Sequence, residues 1–318
     1  MKLICLLMCL ALAACAAPLA EETPVPPALL PEIPERLDRD DAGQPLLNVY
    51  IKEEGILSTM PIEDYLAGVV AGEMRSDWPM EALRAQAILA RTFVLKFVTE
   101  KTSMYDGADI STDIAEAQAY NAAAVDERIL EAVASTAGMV LSTAGGELPY
   151  AWFHAHSGGS TALAREALGW NRAEPAWTKI TDGFDSPDAP PEAKAWEASF
   201  SEEEFLAACR KNGADPRNAH DPAVGDRGGS GRAVTLVVDG EVVNAAALRL
   251  SLGSTKMRST LLTDLHYADG RVYMAGRGYG HGVGMPQWGA YALAQDGHTG
   301  EEIAVHYFDG LQVIQLWQ

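Results

Sequence analysis

Glu73 falls on the apolar stripe of a short amphipathic helix, where a fully solvated glutamate is out of place. In Pro61-Ile62-Glu63-Asp64-Tyr65-Leu66-Ala67-Gly68-Val69-Val70-Ala71-Gly72-Glu73-Met74, the residues Ile62, Tyr65, Leu66, Val69 and Val70 repeat at the i, i+3, i+4, i+7, i+8 spacing of one helix face. Glu73 continues that series. A carboxyl group aimed at an apolar surface is desolvated in its charged form, so its pKa rises and it holds a proton near neutral pH. That is the state a general acid needs. A structural acid buried against an arginine would occupy the same position, and the stripe alone does not choose between the two. Glu63 and Asp64 differ. They fall in the first turn, after Ser58 or Thr59 as N-cap and Pro61 near N1, where negative charge suits the helix dipole.

Two further segments carry groups suited to a site. Gly276-Arg277-Gly278-Tyr279-Gly280-His281-Gly282-Val283-Gly284-Met285-Pro286-Gln287-Trp288 lets backbone approach a ligand or another strand closely, and leaves His281 within reach of a substrate. It lacks the Lys-Ser/Thr ending of a phosphate loop, and no parallel α/β unit surrounds it. Phe153-His154-Ala155-His156-Ser157-Gly158-Gly159-Ser160-Thr161 leads from a strand through a small-residue turn into a helix that Ser160 or Thr161 can cap. His154 and His156 would share a strand face. A zinc hydrolase using His154, His156 and His281 is one reading, but no further ligand with zinc-site spacing follows. Gly-x-Ser-x-Gly, the elbow of a serine hydrolase, is absent.

The elements that must position these groups can be read from periodicity and punctuation. A strand is expected at Leu47 to Ile51, then the Glu73 helix. A second helix starts after Asp77 as N-cap and ends near Lys101, with Leu83, Ala87, Ala90, Val94, Phe97 and Val98 as its apolar stripe. Two such packed helices would hold Glu73 at their junction. A helix at Ile129 to Ala137 stops at Gly138, and strands at Met139 to Ser142 and Tyr150 to His154 flank Gly145-Gly146. Glu204 to Cys209 is helical. Val234 to Val243 forms a hairpin closed by Asp239-Gly240, and Asn244 caps a helix that Gly253 ends. A helix reaches Gln295, Thr299 to Glu302 is a capping box, and Asp309-Gly310 closes the last helix. Strands and helices alternate without a regular βαβ repeat. The fold class is therefore α+β, with mixed helices and mostly antiparallel strands, in a body spanning 46–318 that carries an inserted subdomain at about 171–255.

With 318 residues the chain can bury a sizeable core, and its formal charge of −20 argues against nucleic acid as a partner. Residues 1–14 read as a signal peptide. Lys2 precedes the apolar run Leu3 to Ala14, too short to span a bilayer stably, and Leu12-Ala13-Ala14-Cys15 resembles a bacterial lipobox. By that resemblance Cys15 carries lipid and anchors the chain to a membrane. Cys5 and Cys9 leave with the signal, so Cys209 remains alone, a buried apolar residue without a disulfide partner. Residues 15–45, rich in Pro, Glu and Asp, read as an extended tether; thirty residues in polyproline II geometry reach about 90 Å.

Taken in order, Glu63 to Met74, Ala82-Leu83-Arg84-Ala85-Gln86-Ala87-Ile88-Leu89-Ala90-Arg91-Thr92, His156 to Thr161 and Gly280 to Tyr291 resemble the blocks of the SpoIID/LytB family, the stage II sporulation protein D group. The resemblance covers roughly residues 45 to 318. It implies a peptidoglycan lytic transglycosylase in the cell envelope, with Glu73 as the single catalytic acid and base. Gln86, Arg91, Ser157, Gly158, His281 and Gln287 would line the sugar groove or orient Glu73. No cofactor is implied: some relatives bind zinc through cysteines, which the Ser157 segment lacks. The family often has Ser where this chain has Pro286. The implied partners are glycan strands and a cell-wall amidase. The LytB branch offers the alternative, a non-catalytic peptidoglycan-binding protein that recruits or enhances such an amidase.

Overall fold

Two large hydrophobic cores and a small cluster around Ala164 and Val283 organise the chain, described by a computed structural model over residues 29–317. The signal peptide and the lipobox with Cys15 lie outside the described residues. The tether is shorter than its composition suggests. Pro31 and Leu37 are buried, Ile33 packs on the first core, and Arg36 bonds Asp109 and the Val98 carbonyl, so residues from about 31 onward dock on the body. Isolated apolar residues within a proline-rich stretch suffice to hold it down.

The first core is built around a helix that is apolar on nearly every side. Strands β1 (Leu46–Ile51) and β2 (Ile56–Pro61) form an antiparallel hairpin, and α1 (Ile62–Glu73) and α2 (Met80–Glu100) follow. Leu83, Ala87, Ile88, Ala90, Val94 and Leu95 of α2 are all buried, which places this helix at the centre rather than on the surface. Around it pack α1, α3 (Glu127–Ser135), β4 (Met139–Thr143) and two helices from the far end of the chain, α8 (Gln287–Gln295) and α9 (Gly300–His306). The short β3 (Ile110–Ser111) joins β1 in parallel; β5 (Phe153–His154) pairs in parallel with β12 (Met285–Pro286). Strand β13 (Leu311–Gln315) closes the body by pairing antiparallel with β4.

Between β5 and β12 the chain builds the second core. After α4 (Ala164–Ala167) and α5 (Pro191–Lys194) come β6 (Ala195–Ser201), α6 (Glu202–Lys211), β7 (Ala223–Val224), β8 (Thr235–Val238), β9 (Glu241–Asn244), α7 (Ala245–Leu252), β10 (Leu262–Ala268) and β11 (Arg271–Arg277). They form antiparallel sheets in the orders β10-β11-β6 and β7-β8-β9. Phe200, Phe205, Cys209, Leu236, Leu248 and Val272 are buried between them, and the residues of this core run from Trp196 to Met274, beyond the 171–255 drawn from sequence. The whole is an α+β fold. Among the described residues no helix is long and apolar enough to cross a membrane.

Local chemistry explains where the elements stop. Asp239 and Gly240, both at positive φ, turn the β8-β9 hairpin; Asn244 accepts from the Ala247 N–H; Thr299 and Glu302 form a reciprocal capping box. Other expected caps are not used. Asp77 is drawn to Arg75, leaving Pro79 at the start of α2, and Thr59 lies in β2, bonded to Asn48. Neither Ser160 nor Thr161 caps α4; Glu174 accepts from the Ala164 and Arg165 N–H groups instead. Helix α9 stops at His306, and Asp309-Gly310 turns the chain into β13.

Candidate active site

Glu73 is the last residue of α1, and a pair of glycines on that helix determines what it meets. Gly68 and Gly72 stand one turn apart. A Cβ on Gly72 would lie 2.7 Å from the Ala119 and Tyr120 backbone, and one on Gly68 would overlap the Tyr120 ring. Without those methyls, the segment Gln118-Ala119-Tyr120 lies directly on the helix, held by Asn121 N–H to the Gly68 carbonyl at 2.8 Å. The Ala119 N–H then donates to Glu73 Oε1 at 2.8 Å. From the other side Gln287, first residue of α8, donates its Nε2 to Glu73 Oε2 at 3.2 Å.

Burial pushes the Glu73 pKa up, and the bonds from Ala119 and Gln287 oppose it without cancelling it. The negative end of the α1 dipole acts in the same direction as burial. The carboxyl group nevertheless borders open space, a cleft of about 360 Å³ with walls that include Phe93, Gln118, Trp152, His154, Tyr279 and His281. Glu73 also borders an adjoining groove of about 470 Å³, formed with Gly72 and residues 74–77.

The histidine side of the cleft depends on two interlocked segments. Gly280 and Gly284 have φ of +108° and +71°; a Cβ on them would come within 2.6 Å of the His154 Cβ and 2.1 Å of the Trp152 carbonyl. Backbone bonds between Tyr279 and His156, and from Met285 to Trp152, join the segments. His281 Nδ1 accepts from the Val283 N–H at 3.0 Å; burial and then the Arg249 and Arg232 guanidiniums push its pKa down to about 3. His154 is likewise held neutral, by burial and then His281 and Arg232. Its Nδ1 faces the Val283 carbonyl at 3.2 Å and must carry the proton, which makes Nε2 a lone-pair acceptor. That Nε2 has no partner, nor has Oε1 of Gln118, whose amide nitrogen turns to the Ala90 carbonyl.

Of the residues singled out from sequence, Glu73, His281 and Gln287 therefore meet in one cleft. Four others lie away from it. Ser157 is fully buried, its hydroxyl bonded to Asp185 and its carbonyl to Arg232; Gly158 packs on the Arg277 backbone. Arg91 is buried and grips Glu63, with Nε to Oε1 at 2.9 Å and a further bond to the Met139 carbonyl. Gln86 is enclosed in the first core without a partner for either amide atom. Glu63 is more than a helix-dipole residue: besides Arg91 it accepts from the Gly138 N–H and the Trp317 indole, tying α1 to α2 and the chain's end. His156 does not join His154; its Nδ1 accepts from the Gly158 N–H and lies 3.3 Å from Asp185. Among the described residues no three His, Cys, Asp or Glu side chains are grouped to hold a metal ion. The segment Gln118 to Tyr120 was missed from sequence, although the paired glycines of α1 signalled a close approach there.

Part of this site lies in a segment similar to known proteins. The family described as stage II sporulation protein matches residues 50–142, which include Glu73 and Ala119. Stage II sporulation protein D of Bacillus subtilis is 29% identical over 280 residues, 83% of this chain and 78% of that protein. An uncharacterized protein of Brachyspira hyodysenteriae is 26% identical over 260 residues, 81% of this chain and 68% of that one. The amidase enhancer of Bacillus subtilis is 26% identical over 294 residues, 77% of this chain but 39% of its own length. Residues 50–142 thus match the SpoIID family model, and most of the chain is similar to stage II sporulation protein D.

Proposed function

We propose that the protein is a peptidoglycan lytic transglycosylase that cleaves the β-1,4 bond between N-acetylmuramic acid and N-acetylglucosamine, with Glu73 as its acid and base. The observation that carries this reading is one carboxyl group, its pKa raised by burial, that faces an open cleft and borders a second groove. Ordinary glycosidases add a second carboxylate as nucleophile or to activate water. Here the attacking oxygen belongs to the substrate. Glu73 gives its proton to the glycosidic oxygen as the bond from C1 breaks. The C6 hydroxyl of the muramic sugar then closes on C1, and Glu73 takes the hydroxyl proton. One product ends in a 1,6-anhydro ring, the other regains a free C4 hydroxyl, and Glu73 is protonated again. The attack is intramolecular, so proximity replaces an activated water. Ala119 and Gln287 hold the carboxyl group in place.

The test is to incubate the protein with glycan strands and look for anhydro ends by mass spectrometry. Products from the wild type that vanish in Glu73→Gln support catalysis. Similarity to an amidase enhancer favours a second reading, a glycan-binding protein that recruits or enhances a cell-wall amidase; binding without products, and unchanged by Glu73→Gln, would select it. Under either reading Cys15 carries lipid and holds the body at the cell envelope, which metabolic labelling with a fatty acid, lost in Cys15→Ser, would test.

A further inference from the structure

The solvent face of the β10-β11-β6 sheet carries a trough of about 430 Å³ that the cleavage chemistry does not use. Along β11, Val272 and Met274 enter the second core, so Tyr273 and Ala275 face outward. The register sets two rows across the strands, His266-Tyr273-Ser199 and Asp264-Ala275-Glu197. His266 stacks on Tyr273 with ring centroids 5.2 Å apart and planes 11° apart, covering one side of the tyrosine ring. Across the ring stands Ser199, whose hydroxyl accepts from the Arg271 guanidinium at 3.0 Å. In the next row Asp264 and Glu197 flank Ala275, two strand spacings or about 10 Å apart. A small-residue floor is thus bordered by an aromatic wall and two carboxylates.

That combination suits a neutral sugar. A tyrosine face stacks on the C–H face of a pyranose ring, and carboxylates accept from its hydroxyls. Glu197 disfavours an anionic ligand there, while Asp264 is bonded to His266, its Oδ2 2.6 Å from Nδ1. The path of the chain points to the sugar's source, because β11 leads from the trough to Arg277 and, after a turn at Gly278, to Tyr279 in the wall of the catalytic cleft. Tyr273 and Tyr279 are six residues apart, at most about 20 Å. A few linked sugars cover that span.

We infer that the trough is a distal subsite for the same glycan strand that enters the Glu73 cleft, an inference that rests on the cleft taking glycan. Calorimetric titration of the full chain with β-1,4-linked N-acetylglucosamine oligomers, a disaccharide and an octasaccharide, tests it. The octasaccharide is expected to bind more tightly than the disaccharide. Tyr273→Ala should remove about three- to tenfold of that gain, the worth of one aromatic contact, and leave disaccharide affinity unchanged. Glu197→Gln, at an exposed position where folding is not at stake, should lose part of the same gain. Octasaccharide affinity equal to wild type in both variants overturns the subsite while leaving the cleft reading intact. A wild-type chain that binds neither oligomer overturns both.

Discussion

Gln287 opens α8 and reaches back to Glu73 at the end of α1, joining by a 3.2 Å hydrogen bond two residues 214 positions apart. The bond favours the charged carboxylate, against the larger opposing effect of burial. Gln287→Leu removes the donor and should raise the Glu73 pKa further. For a general acid, activity falls as pH rises through its pKa, so this falling limb of kcat/KM should move to higher pH in the variant. A limb that stays in place, or moves down, would show that Gln287 does not act on Glu73.

Gly72 is required for the other bond. Its replacement by alanine brings a methyl group against the Ala119 and Tyr120 backbone, which cannot swing aside as a side chain can. Gly72→Ala should cost about 1–3 kcal/mol by denaturant unfolding. Activity should fall further than stability explains, because the Ala119 N–H is displaced from Glu73. At Gly68 the obstacle is the Tyr120 ring, which can rotate, so Gly68→Ala should be milder in catalysis.

Glu73 should also weaken the fold it serves. Its folded pKa lies above the unfolded value, so the protonated form stabilises the fold below the unfolded pKa, near 4.3, and this advantage is lost as pH rises through the folded pKa. Glu73→Gln removes a carboxylate that is costly when charged. Its Tm should equal the wild type's near pH 4 and exceed it at pH 7, a pattern that thermal denaturation across pH would reveal or refute.

Arg91 and Glu63 form the opposite case, a pair of a buried arginine and a partly buried glutamate that stabilises structure. Arg91→Met leaves Glu63 without its cation among buried groups and should cost about 3–5 kcal/mol, measured by chemical denaturation. The double variant with Glu63→Gln should recover part of that loss. The KM of the folded Arg91→Met protein should stay close to wild type, since Arg91 lies away from the cleft.

The helices and the acid were legible in the sequence because both depend on local pattern. Ile62, Tyr65, Leu66, Val69 and Val70 mark the buried face of α1, and Glu73 stands out against it. The Asp239-Gly240 turn and the caps at Asn244 and Thr299 are equally local. What stayed hidden is what long-range packing decides. A backbone donor such as the Ala119 N–H has no residue-type signature, and β13 forms only because β4, far back in the chain, offers an edge. Glu63 reads from its own turn as a helix-dipole residue; its bonds to Arg91, Gly138 and Trp317 come from three distant segments. Arg91, Ser157 and Gly158 lie in segments that resemble the family's blocks, yet they brace the scaffold behind the cleft. Motif membership alone does not distinguish a group that touches ligand from one that holds the wall.

The most direct measurement is the titration of Glu73 itself, followed by the side-chain carboxyl 13C signal of glutamate-labelled protein and assigned by its disappearance in Glu73→Gln. An inflection clearly above the ordinary glutamate value of about 4.3 is expected, rising further in Gln287→Leu. A carboxyl group that titrates at or below that value would be charged at neutral pH, and Glu73 would then have no proton to give.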